Sequence, residues 1–134
     1  MAGYSGKPLV AKLGIKPDAR IAIVNAPKGY DRTLGRLPSR VTRGATPTGR
    51  LDLIQFFTKE KRELERRFAA LARALAPAGM LWISWPKQAS GVPSDLTEAV
   101  IRAIGPAHGL VDVKVAAVDD VWSGLKFVRR LKDR

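Results

Sequence analysis

The sequence predicts an α/β fold: a three-layer sandwich whose mostly parallel sheet ends in a C-terminal antiparallel strand pair. Three observations support this prediction. Residues 80–85 are almost all apolar, as in a strand buried on both faces, and such strands belong to parallel sheets covered by helices. Apolar strands alternate with segments of helical periodicity. The last two strands are too close for a crossover connection, so they should pair antiparallel.

The predicted elements follow one another as α, β, short α, weak β, β, α, β, α, β, β. The first helix begins after Pro8 and ends at Gly14, since proline suits a first helical turn and glycine a helix end. Strands are predicted at 20–24, 51–57, 80–85, 110–118 and 125–131, with a weak edge strand at 40–42. Further helices are predicted at 30–34, at 59–76, and from a cap at Ser94 or Asp95 up to Gly105.

The longest predicted helix carries a buried apolar stripe. Its members recur at helical spacing: Leu64, Phe68, Leu71 and Leu75. Thr58 is suited to cap this helix. Glu63 and Arg67 lie four residues apart, which predicts an ion pair on the solvent side.

Length and composition bound the domain organisation. The 134 residues fit one domain, 1–134, with an N-terminal helix and turn in 1–18 and a flexible basic loop at 43–50. The absence of cysteine excludes a disulfide scaffold, a thiolate metal site and a cysteine nucleophile. The first residues lack a signal-peptide apolar core, and no apolar run reaches the roughly 20 residues of a membrane span. These features favour a cytoplasmic, bacterial protein with no membrane partner.

The net charge of +12 is unevenly distributed. Residues 1–50 contain ten basic residues against two acids, Asp18 and Asp31. A positive field attracts polyanions and accelerates their encounter with the protein. The charge therefore indicates a polyanion or nucleotide partner, although a basic surface that only maintains solubility is the alternative.

Side chains suited to ligand binding follow the ends of the predicted parallel strands. Ligands of such sheets bind at the carboxyl ends of the strands. Lysine ammonium groups balance phosphate, and tryptophan faces stack on bases. The predicted ligand-binding residues are Lys28, Tyr30, Trp85, Lys87, Asp119 and Trp122, with Thr58 and Lys59 at the same edge.

Several of these residues have an ordinary structural interpretation as well. Trp82 is expected in the core, and Trp122 is suited to packing the last hairpin against the sheet. For Trp85, the sequence favours a core position and a pocket position about equally. Lys87 and Lys126 are typical solvated lysines.

Motifs for catalysis or metal binding are not evident. Asp119 and Asp120 are adjacent and point apart in extended chain, with no third ligand. His108, the single histidine, lies in a helix stop, which argues against a histidine-based triad. No catalytic residue is identified and no metal site is predicted; a binding role is favoured, and the question of an enzymatic activity stays open.

The order of elements resembles the second half of the S-adenosylmethionine-dependent methyltransferase fold, a Rossmann-like architecture. That family uses a glycine-rich turn after the first strand and an acid after the second strand for the ribose. Here the turn, 25–30, contains Pro27 and one glycine, and 40–50 contains no acid. The resemblance implies the fold, whereas the cofactor signature is missing, so no cofactor is predicted and S-adenosylmethionine stands as the alternative.

A closer resemblance is to a bacterial family of small single-domain proteins known as a domain of unknown function. It implies family membership and no activity. The matching segments cover most of the chain: 4–6, 12–15, 26–29, 85–87, 90–91, 95–98, 109–115 and 119–128.

Three functions therefore remain open from the sequence. The first is a non-catalytic binding module for a nucleotide-like or nucleic-acid ligand on a methyltransferase-like scaffold. The second is a divergent S-adenosylmethionine-dependent methyltransferase. The third is a protein-interaction domain that docks a partner through a sheet edge near Val41.

Overall fold

A six-stranded sheet forms the middle layer of the structure, a computed structural model that describes residues 7–134. The strands are β1 (Arg20–Val24), β2 (Thr42–Gly44), β3 (Leu51–Phe57), β4 (Leu75–Pro86), β5 (Leu110–Ala117) and β6 (Trp122–Arg129). The α-helices are α1 (Leu9–Leu13), α2 (Tyr30–Leu34), α3 (Lys61–Arg73) and α4 (Glu98–Ile104). Short 3₁₀ turns occupy Gln88–Ser90, Gly105–His108 and Leu131–Asp133.

The strand order is β2-β1-β3-β4-β6-β5, and β6 is the strand that runs antiparallel to both of its neighbours. β2, β1, β3 and β4 pair parallel. The predicted three-layer, mostly parallel Rossmann-like sheet with a C-terminal antiparallel pair is confirmed. The sequence did not predict that β6 inserts between β4 and β5.

Each face of the sheet is covered by its own pair of helices. On one side, which we call the α3/α4 face, Leu64 and Phe68 of α3 pack on the sheet. On the other, the α1/α2 face, Leu13 and Tyr30 pack around Trp82. The Trp82 indole is fully buried and its Nε1–H donates to the Leu13 carbonyl at 2.9 Å, so the predicted core position is confirmed.

The connection between α3 and β4 is shorter than the sequence predicts. α3 ends at Arg73, and β4 begins at Leu75, which pairs with Leu51. Gly79 lies at a register shift between these strands, where a Cβ atom would stand 2.7 Å from the Leu51 carbonyl oxygen. Backbone approaches this close require glycine. Arg129 of β6 fixes this turn, since its guanidinium donates to the carbonyls of residues 72, 75 and 76.

Three local predictions are corrected by the structure. The edge strand β2 spans Thr42–Gly44, so the loop predicted at 43–50 starts after Gly44. Thr97 caps α4 by accepting a hydrogen bond from the Val100 amide. Asp95 instead accepts the Lys61 amide at the start of α3. Segment 4–6, which carries part of the family resemblance, lies outside the described residues.

The chain reverses direction across the sheet at β1. β2 lies on one side of β1, and the connection from β2 then crosses to β3 on its other side. A crevice opens at such a topological switch point, between the carboxyl ends of the two diverging strands, and α/β proteins bind ligands there. The switch point of this sheet lies between the ends of β1 and β3. Within residues 7–134, no helix has the length and apolar character needed to cross a membrane.

Candidate ligand pocket at the switch point

A pocket of about 280 Å³ lies at this switch point, and we call it the switch-point pocket. β1 and β3 each contribute residues at or just after their ends, and α3 and β6 contribute the rest. Its lining consists of Asn25, Pro27, Phe57, Thr58, Lys59, Glu60, Glu63 and Trp122. The pocket approaches the lower limit of typical small-molecule sites, about 300 Å³.

Aromatic rings form one wall of the pocket, and a further aromatic ring packs behind that wall. Phe57, the last residue of β3, is buried, and its ring packs edge-on against Trp122 with centroids 5.1 Å apart. Tyr30 packs against the same phenyl ring at 4.8 Å. Trp122 is half-buried, so part of its indole faces the pocket. A ligand here meets a rigid aromatic surface.

The Glu63 carboxylate is held in place by residues from two strands. Its Oε1 accepts the Thr58 hydroxyl at 2.5 Å, and its Oε2 lies 3.5 Å from Asn25 Nδ2. Asn25 also donates to the Phe57 carbonyl at 3.3 Å. Asn25 has a φ of 60°, a left-handed conformation that asparagine tolerates. These contacts tie the first turn of α3 to the ends of β1 and β3, and they fix a negative charge in the pocket.

A second carboxylate lines the pocket with Glu63. Glu60 lies at the N-terminus of α3 and lines the pocket. A second depression of about 360 Å³ adjoins it, sharing Lys59 and Glu60 and adding Pro93, Ser94 and Asp95. The linings of the two depressions together contain three carboxylates, those of Glu60, Glu63 and Asp95, and one lysine, Lys59.

A buried polar chain lies beneath the pocket on the α1/α2 face. The Tyr30 hydroxyl donates to Gln55 Oε1 at 2.5 Å, and Gln55 Nε2 donates to Ser84 Oγ at 3.2 Å. Gln55 and Ser84 are fully buried, and burial raises the pKa of the Tyr30 hydroxyl. The Ser84 carbonyl in turn accepts the Thr58 amide. This chain joins α2, β3 and β4 directly behind the residues that hold Glu63.

The structure separates the sequence-predicted site residues. Trp122 lines the switch-point pocket, and Lys28 is exposed on the turn after β1. Tyr30 is 2% exposed, with its hydroxyl committed to Gln55. Trp85 is 6% exposed and lies on the α3/α4 face, because alternate residues of β4 point to opposite faces. Neither side chain is part of the lining of the switch-point pocket.

Lys87 and Asp119 both make hydrogen bonds with the turn that precedes β6. Lys87 Nζ donates to the Asp119 carbonyl at 2.8 Å, and its amide donates to the Val121 carbonyl. The Asp119 carboxylate accepts the amides of Val121 and Trp122, which shapes the turn before β6. Lys59, rather than Lys28 or Lys87, is the lysine in the pocket lining. Lys87 and Asp119 thus position Trp122.

The residues that sequence reasoning missed are Glu63 and Asn25. Glu63 was expected to pair with Arg67, whereas the Arg67 guanidinium lies 5.2 Å from the centre of the Phe56 ring. An Asn-Ala-Pro turn after an apolar strand marks a loop. It does not show that the asparagine contacts a helix 38 residues later. Among residues 7–134, no group of three or more histidine, aspartate or glutamate side chains is arranged to hold a metal ion.

Comparison with family models and with curated proteins gives no match. Solved structures do match. A methyltransferase dependent on S-adenosylmethionine (SAM) from Aquifex aeolicus superimposes with a TM-score of 0.63 at 15% identity, over 89% of this chain and 86% of that one. The fold is methyltransferase-like.

Two further solved structures of this fold are described as containing a bound ligand. The magnesium protoporphyrin IX methyltransferase of Synechocystis, with bound SAM, gives a TM-score of 0.57 at 15% identity, over 91% of this chain and 74% of that one. A Burkholderia thailandensis methyltransferase with bound S-adenosylhomocysteine gives a TM-score of 0.61 at 17% identity, over 90% of this chain and 74% of that one. At these levels of sequence identity, the similarity shows a common fold and nothing more.

The residues present match one end of SAM and not the other. Glu63 and the Trp122 indole suit a cationic group. The adenosine end has no matching glycine-rich turn, because the turn after β1 contains Pro27 and a single glycine, Gly29, with a φ of +81°. No acid follows β2, and Arg43 of β2 pairs with Asp31 at 2.7 Å. A cofactor held in the family's usual manner does not fit.

Proposed function

We propose that the switch-point pocket binds the positively charged end of a small organic cation, with SAM as the lead ligand. The observation that supports this most directly is the fixed Glu63 carboxylate facing a pocket walled by Trp122. The proposed function is ligand binding, in which Glu63, Asn25 and Thr58 set the charge and the two aromatic residues set the shape.

Charge and apolar surface act together on a cation in this pocket. A cation in contact with an indole face gains roughly 0.5–2 kcal/mol. A fixed carboxylate adds a charge-assisted interaction, which costs no reorganisation because Thr58 already orients Glu63. Sulfonium and ammonium groups carry both the charge and the apolar surface that such a pocket matches. The carboxylates of Glu60 and Glu63 outnumber the single ammonium group of Lys59 in the lining, which disfavours a phosphate group, so we do not assign a nucleotide to this pocket.

Calorimetry with matched ligands tests this proposal. We expect SAM to bind the intact chain and choline to compete with it, because choline presents a quaternary ammonium. The neutral isostere 3,3-dimethylbutan-1-ol should compete at least about fivefold less well, since it lacks the charge. No heat at about 1 mM SAM, a concentration that detects binding of about −4 kcal/mol, would contradict the proposal. Equal competition by the neutral alcohol would contradict it as well.

Methyl transfer is the second candidate function, favoured by the SAM and S-adenosylhomocysteine bound in the solved neighbours. SAM would supply an activated methyl group, and no residue of the pocket is assigned a catalytic role. The test is formation of S-adenosylhomocysteine from SAM in the presence of a bacterial small-molecule extract. Transfer above the level of heat-inactivated protein supports this candidate, and its absence leaves ligand binding as the function.

A further inference from the structure

A second charged site lies on the α1/α2 face, away from the switch-point pocket. Lys114 of β5 and Lys126 of β6 are directly opposite each other in the antiparallel register. Side chains in such positions have Cβ atoms about 5 Å apart, and like charges placed there repel. Lys126 Nζ also lies 5.8 Å from the centre of the Trp82 ring, so it is placed over the buried core.

A third lysine approaches the same corner from α1. Lys12 is 9% exposed, and its Nζ donates to the Ala117 carbonyl at 3.0 Å. Lys114 Nζ lies 3.5 Å from the Lys12 carbonyl oxygen. Lys12, Lys114 and Lys126, which we call the lysine cluster, thus lie where α1 meets the β5–β6 hairpin, and carbonyl oxygens supply the polar contacts of the Lys12 and Lys114 ammonium groups.

No carboxylate neutralises this lysine cluster within the part of the chain that the structure describes. The ion pairs found there involve arginines, and none includes Lys12, Lys114 or Lys126. Asp112, two residues before Lys114, pairs with Arg102 of α4 on the opposite face. Burial, together with the charge of Lys114, lowers the pKa of Lys126. The cluster carries a repulsion that a bound anion relieves.

The site is open to solvent on one side. α1 has five residues and covers the part of the sheet around Trp82. Lys114 is exposed, and the neighbouring Val113 is 52% exposed at the bulge of the edge strand. A ligand therefore reaches Lys114 and Lys126 from the β5 edge without displacing a helix.

We propose that Lys114 and Lys126 bind a phosphate group, with Lys12 adding to the field behind them. Two ammonium groups on adjacent strands straddle a single phosphate, and phosphate contacts by lysine carry no sequence information. The sources to distinguish are a small phosphate compound and a nucleic-acid backbone. This site goes beyond the proposed cation pocket and does not depend on it.

Binding assays on the intact chain test the proposal. The variants are Lys114→Gln and Lys126→Gln, with Lys132→Gln as a control that removes the same charge from an exposed C-terminal position. We expect each of the first two to weaken anisotropy-detected binding of a labelled single-stranded DNA of about 16 nucleotides at least about fivefold, while the control changes it less than twofold. Arginine at both positions should restore binding.

Thermal stability separates a ligand site from a structural role. Without phosphate, Lys114→Gln and Lys126→Gln should melt at the same temperature as the wild type or higher, because they remove a like-charge pair. If inorganic pyrophosphate at constant ionic strength stabilises the wild type, and neither variant shows this stabilisation, the ligand is a small phosphate compound. If DNA binds and pyrophosphate does not stabilise the protein, the ligand is the nucleic-acid backbone. Unchanged DNA and pyrophosphate responses in both variants, no response of the wild type to either probe, or a lowered melting temperature overturns the proposal.

Discussion

Replacing Glu63 with glutamine should weaken SAM binding by the intact chain at least about tenfold. Glutamine keeps the size of the side chain and still accepts the Thr58 hydroxyl, so the pocket retains its shape. The negative charge is lost, and with it a charge-assisted contact of about 1.5–3 kcal/mol, where 1.4 kcal/mol corresponds to a tenfold change. Isothermal titration calorimetry measures the difference.

Glu65→Gln is the matched control for this variant. Glu65 is exposed, lies on the same helix two residues later, and is absent from the pocket lining. Its removal changes the net charge by the same amount, so it should alter the affinity less than twofold. Wild-type affinity in Glu63→Gln, or an equal loss in both variants, would show that Glu63 does not contact the ligand.

Replacing Gln55 with leucine should lower the free energy of unfolding by about 2–4 kcal/mol. Leucine lacks the amide group through which Gln55 bonds to both Tyr30 and Ser84. The substitution therefore leaves these two buried hydroxyls without their hydrogen bonds to residue 55. Each orphaned buried polar group costs about 1–3 kcal/mol. Urea unfolding followed by tryptophan fluorescence measures the change.

A double-mutant cycle distinguishes this mechanism from simple repacking. Tyr30→Phe keeps the edge contact with Phe57 and removes the orphaned hydroxyl. In the Gln55→Leu background it should therefore cost less than it does alone, by at least about 0.5 kcal/mol. Strict additivity, or a loss below about 1 kcal/mol in Gln55→Leu, would show that the buried chain contributes little.

The sequence specifies the central part of the fold because periodicity and burial coincide there. Residues 81–86 are buried along the whole run, which an apolar strand between two helix layers requires. Leu64, Phe68 and Leu71 are buried on α3 as their spacing predicts, whereas Leu75, the fourth member of the predicted stripe, lies in β4. β2 was misplaced by two residues, because its three exposed residues carry no hydrophobic pattern.

The candidate site depends on contacts that local patterns do not encode. Asn25 and Glu63 meet because β1 and β3 are neighbours in the sheet, a fact of topology. Trp85 was placed near a pocket because it ends a strand, whereas its position in the alternation of β4 directs it into the core on the α3/α4 face. Asp95 has the spacing of a cap for its own helix and instead caps α3, since the loop before α4 packs against that end.

The tryptophan indoles report most directly on whether a cation binds in the switch-point pocket. The three N–H signals of ¹⁵N-labelled protein offer an internal control, because Trp122 lines the pocket while Trp82 and Trp85 are 0% and 6% exposed. During titration with SAM to about 1 mM, the Trp122 signal should move progressively while the other two stay in place. A stationary Trp122 signal, or movement confined to Trp82 or Trp85, would contradict the proposed site.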